Sequence, residues 1–217
     1  MMPSDYIGVY GASGFGKEVM PLLREQYPDF AKENFVFIDD GSSTSQLNGY
    51  AVLTFAEFVK VKAQNKKVTI AIANSSVREK LVQKLNEASI EHLAVKASNS
   101  ISLDAVTIAE GSILCPFVCL TSNIKIGKFF HANIYSYVAH DCVIGDFVTF
   151  APGVKCNGNI IIEDHAYIGT GAIIKQGTPE QPIVIGKGAV VGMGAVVTKS
   201  VAAGVTVVGN PAKPLVR

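Results

Sequence analysis

Of the four histidines in the chain, His140 is the one whose neighbours could turn an imidazole into a catalytic base. Asp141 follows it directly and could hold the ring in one tautomer and raise its basicity, as the third member of a catalytic triad does. Gly158 comes 18 residues later, so in a chain that coils every 18 residues it would sit about 4.8 Å away, one strand spacing along the axis. A base beside a bare backbone N–H is what acyl transfer needs. The base takes the nucleophile's proton and the N–H meets the developing oxyanion. On these residues alone His140 is equally an exposed structural histidine. His92 precedes the coil and is expected at the surface, while His131 and His165 fall where side chains are expected to face outward.

A second group lies near the N-terminus. Gly11, Ser13, Gly14, Phe15 and Gly16 form a glycine turn between an apolar stretch at 7–10 and a helical pattern from Lys17 to Gln26 with Val19, Leu22 and Leu23 on one side. Where no Cβ intervenes, backbone N–H groups and a helix N-terminus can approach a phosphate. Asp39 and Asp40 end the next apolar stretch at 35–38, where carboxylates could accept from ribose hydroxyls or a base N–H. The spacing is GxxGxG, not the GxGxxG of dinucleotide enzymes, and the segment holds one mononucleotide-sized half of a Rossmann fold, which favours one nucleotide diphosphate over NAD. Turn glycines and a solvated acid pair remain the plain alternative.

What would position these groups is a repeat. Apolar residues recur at every sixth position: Ile108, Leu114, Leu120, Ile126, Ala132, Val138, Ile144, Phe150, Cys156, Ile162, Ile168 and Ile174. A second inward row, usually small or branched, lies four residues after each, from Ser112 through Cys142 and Ala172 to Thr178. A period of six fits neither a helix nor plain alternation, and three such hexads make one triangular coil of a parallel β-helix. The step from Ile174 to Ile185 is eleven residues and contains 176–182, which predicts a loop bulging from one corner. Ahead of the repeat, Thr54 with Glu57 and Ser76 with Glu79 read as capping boxes opening two helices, the second with Val77, Leu81 and Leu85 on its apolar side. A buried strand is expected at 68–72 between them. The pattern implies a Rossmann-like α/β half domain at 1–97 with a parallel sheet, followed by the β-helix at 98–217.

A formal net charge of +1, without blocks of like charge, points away from nucleic acid and acidic membranes. No apolar stretch approaches the ~18 residues of a membrane span and the start lacks a signal-peptide pattern, so a cytoplasmic protein is expected. Cys142 and Cys156 occupy inward positions, and Cys115 and Cys119 do not form a zinc-type pair, so core thiols and no metal are expected.

The hexads, Asn133, the run from His140 to Gly145, Lys155 to Gly158 and the ending Gly209 to Lys213 resemble the sugar acetyltransferases of the left-handed β-helix superfamily. The glycine turn, Asp39, Asp40 and the run Ala71 to Asn74 narrow the resemblance to its nucleotide-sugar N-acetyltransferases, most nearly those of UDP-N-acetylbacillosamine. The likeness covers nearly the whole chain, and the left hand of the coil comes from it, since general chirality rules favour right-handed crossovers. It implies transfer of acetyl from acetyl-CoA to the 4-amino group of a UDP-linked 4-amino-4,6-dideoxy sugar for bacterial surface glycans, by direct attack. His140 would be the base, Asp141 its support, Gly158 the donor to the thioester carbonyl, with Asn133 among the catalytic group. Ser13, Gly14 and Phe15 would meet the phosphates, Asp39 and Asp40 the nucleoside, and Ala73 would offer a backbone contact. Thr149, Gly158, Thr170 and Met193 would line acetyl-CoA in a groove between subunits of a homotrimer. The chain departs from the family's nearest members by Phe15, Asp141, Thr149 and Ala73, which stand where those carry His, Glu, His and Gly. Two other readings stay open: an O-acetyltransferase of sialic acid or another sugar hydroxyl, and a non-catalytic trimer that senses a nucleotide.

Overall fold

The computed structural model describes residues 5–215 and divides into two compact units, Met1–Val95 and Lys96–Arg217. In the first, β1 (Tyr6–Tyr10), β2 (Phe35–Ile38), β3 (Gln46–Leu47), β4 (Tyr50–Leu53), β5 (Lys66–Ile70) and β6 (Glu91–His92) form one sheet in the order β3-β4-β2-β1-β5-β6. All neighbours run parallel except β3 and β4, an antiparallel hairpin turned by Asn48 and Gly49, both at positive φ. Sequence reading missed this hairpin although an Asn-Gly pair is its strongest short signal. The chain steps from β1 outward to β4 and then crosses to the other side of β1. The strand order therefore reverses beside β1, and in parallel sheets ligands gather at the carboxyl ends of the strands there.

Helix α1 (Gly14–Gln26) buries Val19, Met20, Leu22 and Leu23, the side its spacing indicated. Helix α2 (Phe55–Lys60) opens with the expected box: Thr54 accepts from the Glu57 N–H while Glu57 accepts from the Thr54 N–H. Helix α3 (Ser75–Glu87) differs from expectation. Its cap is Asn74, whose side chain accepts from the Val77 N–H, so Ser76 falls inside the first turn. Its buried side is Arg78, Val82 and Leu85, and Val77 is exposed. The strand expected at 68–72 runs over Lys66–Ile70, because β5 keeps register with β1 from Tyr6 to Tyr10.

The second unit is a left-handed parallel β-helix. Its rungs pair at 18-residue steps on three faces: Ile113, His131, Thr149 and Tyr167 on one, Cys119, Tyr137, Lys155 and Ile173 on the next, Lys125, Val143 and Ile161 on the third. Beyond the bulge the step is 23, as Tyr167 pairs with Val190, and full register resumes. The hexad residues from Leu114 to Ile174 are buried, each worth on the order of 1.5–3 kcal/mol for a large aliphatic side chain. The corners are made by backbone conformation: every sixth residue from Ala105 to Gly171 has φ between 53° and 71°. Asp141 is one of these, and short carboxylates and amides tolerate the left-handed region better than most side chains.

Two expectations for this unit are corrected. Thr178 is exposed, because the chain leaves the coil there and turns back on itself, Thr178 and Gln181 exchanging backbone hydrogen bonds. His131 is buried at 1% exposure, since its rung neighbours Ile113 and Thr149 are buried too and this stretch of face is not solvated.

Candidate active site

His140 stands at the corner that follows the Tyr137–Val138 rung. The left-handed turn at Asp141 brings its carboxylate back onto the preceding ring, and His140 Nδ1 lies 2.7 Å from Asp141 Oδ2. An ionised carboxylate only accepts, so Nδ1 carries the proton in this pair and Nε2 is left as the basic nitrogen. Asn123, one coil earlier, donates to Asp141 Oδ1 at 3.1 Å. Hydrogen bonds from His140 first and Asn123 second hold the Asp141 carboxyl below the usual carboxylate range. Asn123 went unremarked in the sequence, although its place 18 residues before Asp141 was signal enough.

Gly158 lies one coil further on. A Cβ built there would stand 2.5 Å from both Cε1 and Nε2 of His140, so the imidazole occupies the space that any other residue would fill. Its φ is not positive, and glycine is required here for room alone. Among the described residues no acceptor takes the Gly158 N–H. The bulge leaves the coil at this same corner: the Gly177 N–H donates to Gly158 O at 3.0 Å and the Ile183 N–H to Asn159 O at 3.2 Å. An imidazole, its carboxylate, an unused backbone donor and a looped-out segment therefore share one edge.

Asn133, Thr170 and Met193 lie elsewhere. Asn133 closes a local turn through the Ile134 N–H, 2.7 Å from its Oδ1. The next corner residues stack along the axis, Gly153 N–H to Ile134 O at 2.9 Å, Gly171 N–H to Pro152 O at 2.9 Å and Gly194 N–H to Thr170 O at 2.8 Å. Met193 at the end of that stack is 82% exposed. Thr149 is a buried rung residue between His131 and Tyr167. Within one chain these four belong to a different corner or face from His140.

In the first unit the register aligns Tyr10 with both Ile38 and Ile70, so the segments leaving β1, β2 and β5 emerge side by side. Gly11 takes φ 111°, and the helix begins so close above it that a Cβ on Gly16 would lie 1.9 Å from Gly11 O. Ser13 is the N-cap but its side chain makes no cap bond, and Gly14 has open space around it. Phe15 is half-buried. Asp39 accepts from the Ala12 N–H at 3.1 Å and the Gly41 N–H at 3.0 Å, tying the acid to the glycine turn. Asp40 is committed to the protein: Oδ1 accepts from the Phe55 N–H at 2.7 Å, and Oδ2 from the Tyr10 hydroxyl at 2.5 Å and Lys84 Nζ at 2.8 Å. Burial raises its pKa, but the hydrogen bonds from Lys84, Tyr10 and Phe55 outweigh that and hold it below the ordinary value. Ala73 is exposed past the end of β5, and its carbonyl and that of Ile72 accept from the buried Arg78 guanidinium at 3.2 and 2.7 Å. No group of three or more metal-ligating side chains occurs among the described residues, and no helix there is long and apolar enough to cross a membrane.

Residues 6–85 match the family model of the PglD N-terminal domain, and residues 159–199 that of the hexapeptide repeat of succinyl-transferase. WeeI from Acinetobacter baumannii AYE has a solved structure with 72% identity and a TM-score of 0.96, covering 97% of this chain and 100% of its own. The acetyltransferase domain of PglB from Neisseria gonorrhoeae FA1090, solved in complex with acetyl coenzyme A, is 27% identical with a TM-score of 0.84, covering 97% and 98%. The GDP-perosamine N-acetyltransferase of Escherichia coli O157:H7 is 49% identical over 212 residues, 97% of this chain and 96% of its own. With that relatedness running through both units, the chain belongs to the nucleotide-sugar N-acetyltransferases of the left-handed β-helix, hexapeptide-repeat superfamily.

Proposed function

We propose that this enzyme transfers acetyl from acetyl-CoA to the 4-amino group of a UDP-linked 4-amino-4,6-dideoxy sugar of the bacillosamine type, with His140 as general base. One observation carries the mechanism: the imidazole is fixed by Asp141 at 2.7 Å and lies against the Gly158 backbone, whose N–H is unused. Nε2 of His140 accepts the proton of the attacking amine as the N–C bond forms. The Gly158 N–H holds the oxyanion of the tetrahedral intermediate. When the C–S bond breaks, His140 returns the proton to the departing thiolate, and no acyl-enzyme forms.

In this reading Ser13, Gly14 and Phe15 take the diphosphate at the start of α1, where no side chain caps the helix. Asp39 and Asp40 divide the work at the nucleoside. Asp40 is already engaged through both oxygens by Tyr10, Lys84 and Phe55, which makes it a support. Asp39, with one backbone donor on each oxygen, keeps capacity for a further single donor such as the N3–H of uracil. Ala73 adds a backbone contact. Thr149, Thr170 and Met193 contact acetyl-CoA, and Asn133 completes the catalytic group. Because Asn133, Thr170 and Met193 stand on a different corner from His140, a site holding all of them is assembled between the prisms of a homotrimer. All four cysteines are thiols rather than disulfides, which fits a cytoplasmic enzyme.

A second reading, GDP-perosamine as acceptor, is favoured by the name of the relative that is 49% identical. Thiol release from acetyl-CoA, assayed with UDP-, dTDP- and GDP-linked 4-amino-6-deoxy sugars on wild type and His140→Ala, decides between them. Turnover is expected with the UDP sugar and a loss of about two to four orders of magnitude in kcat for the variant. Turnover with the GDP sugar alone replaces the first reading by the second, and near wild-type activity of the variant removes His140 from the mechanism.

A further inference from the structure

The peptide unit between Asn157 and Gly158 is gripped from its carbonyl side. The Cys142 thiol donates to Asn157 O at 3.1 Å, and the Cys156 thiol lies 3.9 Å from the same oxygen. Both cysteines are fully buried in the prism. The Asn157 side chain is tied as well. The Tyr137 hydroxyl donates to its Oδ1 at 2.7 Å, and its Nδ2 donates to Ile174 O at 2.7 Å on the following coil.

A trans peptide points its C=O and N–H in opposite directions. With the Asn157 carbonyl turned in on buried thiols, the Gly158 N–H faces the outer side of the corner, where the His140 ring stands. A hydrogen bond accepted at the carbonyl also polarises the peptide and strengthens its N–H as a donor. Asn157 lies between the proposed oxyanion donor and two side chains that have no place in the chemistry described so far.

We propose that Cys142 and Tyr137 are positioning residues for acetyl transfer: acting through Asn157, they aim and polarise the Gly158 N–H at the thioester carbonyl. This rests on the reading of Gly158 as the oxyanion donor. Cys142 works by its S–H on the Asn157 carbonyl and Tyr137 by fixing the Asn157 side chain. Neither exchanges a proton with substrate.

The test combines kinetics with a direct probe of the carbonyl. Cys142→Ala is expected to lower kcat about tenfold, a part of the ~10²–10³ that a lost oxyanion donor is worth. The KM for the nucleotide sugar and the pH dependence of kcat stay as in wild type, and Cys142→Ser, which keeps a donor, recovers most of the loss. A ketone analogue of acetyl-CoA, labelled with carbon-13 at the carbonyl, reports the hydrogen bond by infrared spectroscopy. Its stretch drops on binding to wild type and to Cys142→Ser, and returns toward the free value in Cys142→Ala. Tyr137→Phe, which keeps the ring, is expected to move kcat and the stretch in the same direction, and it carries the test if Cys142→Ala does not fold. Wild-type kcat and stretch in the Cys142→Ala and Tyr137→Phe proteins overturn the proposal while the Gly158 reading stands. A stretch that does not drop in wild type overturns the Gly158 reading itself, and the proposal with it.

Discussion

Gly158→Ala is the substitution whose effect follows most directly from the geometry. The new Cβ would lie 2.5 Å from Cε1 and Nε2 of His140 and 2.9 Å from Nδ1. Carbon atoms in contact stand about 3.5–4.0 Å apart, so roughly 1 Å of overlap must be relieved. The backbone at 158 accepts alanine, and the obstacle is a side chain that is 46% exposed and free to swing outward. The ring therefore moves and leaves the Asp141 carboxylate. A misplacement of about 1 Å costs roughly 10²-fold and full loss of a general base up to about 10⁴-fold, so kcat is expected to fall about 10²–10³-fold. That corresponds to about 3–4 kcal/mol in the barrier. Folding stability stays within about 1 kcal/mol, because alanine also restricts the unfolded chain. The assay is thiol release at saturating substrates, with thermal unfolding alongside. Because the loss acts through His140, the double variant Gly158→Ala/His140→Ala should be no worse than His140→Ala alone. Wild-type kcat in Gly158→Ala, or losses that multiply in the double variant, would refute the reasoning.

The two neighbouring glycines of the first turn should separate fold from binding. Gly16→Ala places a Cβ 1.9 Å from the Gly11 carbonyl oxygen, a backbone atom that cannot step aside, and is expected to destabilise the protein by about 3 kcal/mol in urea unfolding. Gly14→Ala meets nothing within 4 Å and should unfold like wild type, while raising the KM for the nucleotide sugar without changing that for acetyl-CoA. Asp40→Asn should alter the acid side of the stability profile: the folded pKa of Asp40 is lowered, so its contribution is complete above the ordinary carboxylate pKa and fades as pH falls through the folded value. Chemical denaturation from neutral pH into that acid range is expected to show a shallower decline in the variant, and an unchanged slope would count against the Lys84, Tyr10 and Asp40 network.

Most of the architecture was legible because each part of it is specified locally. A hexad position is buried or exposed by its own residue and its place in the count, and the box at Thr54 needs only Glu57 three residues on. Helix α3 was misread where two local signals compete: Asn74 takes the cap that Ser76 could have taken, and the buried side rotates to admit Arg78. His140, Asp141 and Gly158 could be brought together by counting, since the period supplies the third dimension. What could not be counted was pairing between distant segments. Asp40 is held by Tyr10 and Lys84, 30 and 44 residues away, and no spacing rule foretells that the acid's acceptors are already occupied. The tie of Asn157 to Cys142 spans 15 residues, which the count of 18 does not bring together.

The bulge at 176–182 has a consequence for how such an enzyme diversifies. It inserts five residues into the 18-residue step, yet the rungs on either side keep their pairing, Ile160 with Ile183 and Ile162 with Ile185. The stack absorbs added length at one corner without passing the change on to its neighbours. This corner also carries His140 and Gly158, so, on the reading of that pair as base and oxyanion donor, the length and sequence of the bulge can change while the pair keeps its place. A library confined to these seven residues then tests whether acceptor scope can be varied without loss of turnover.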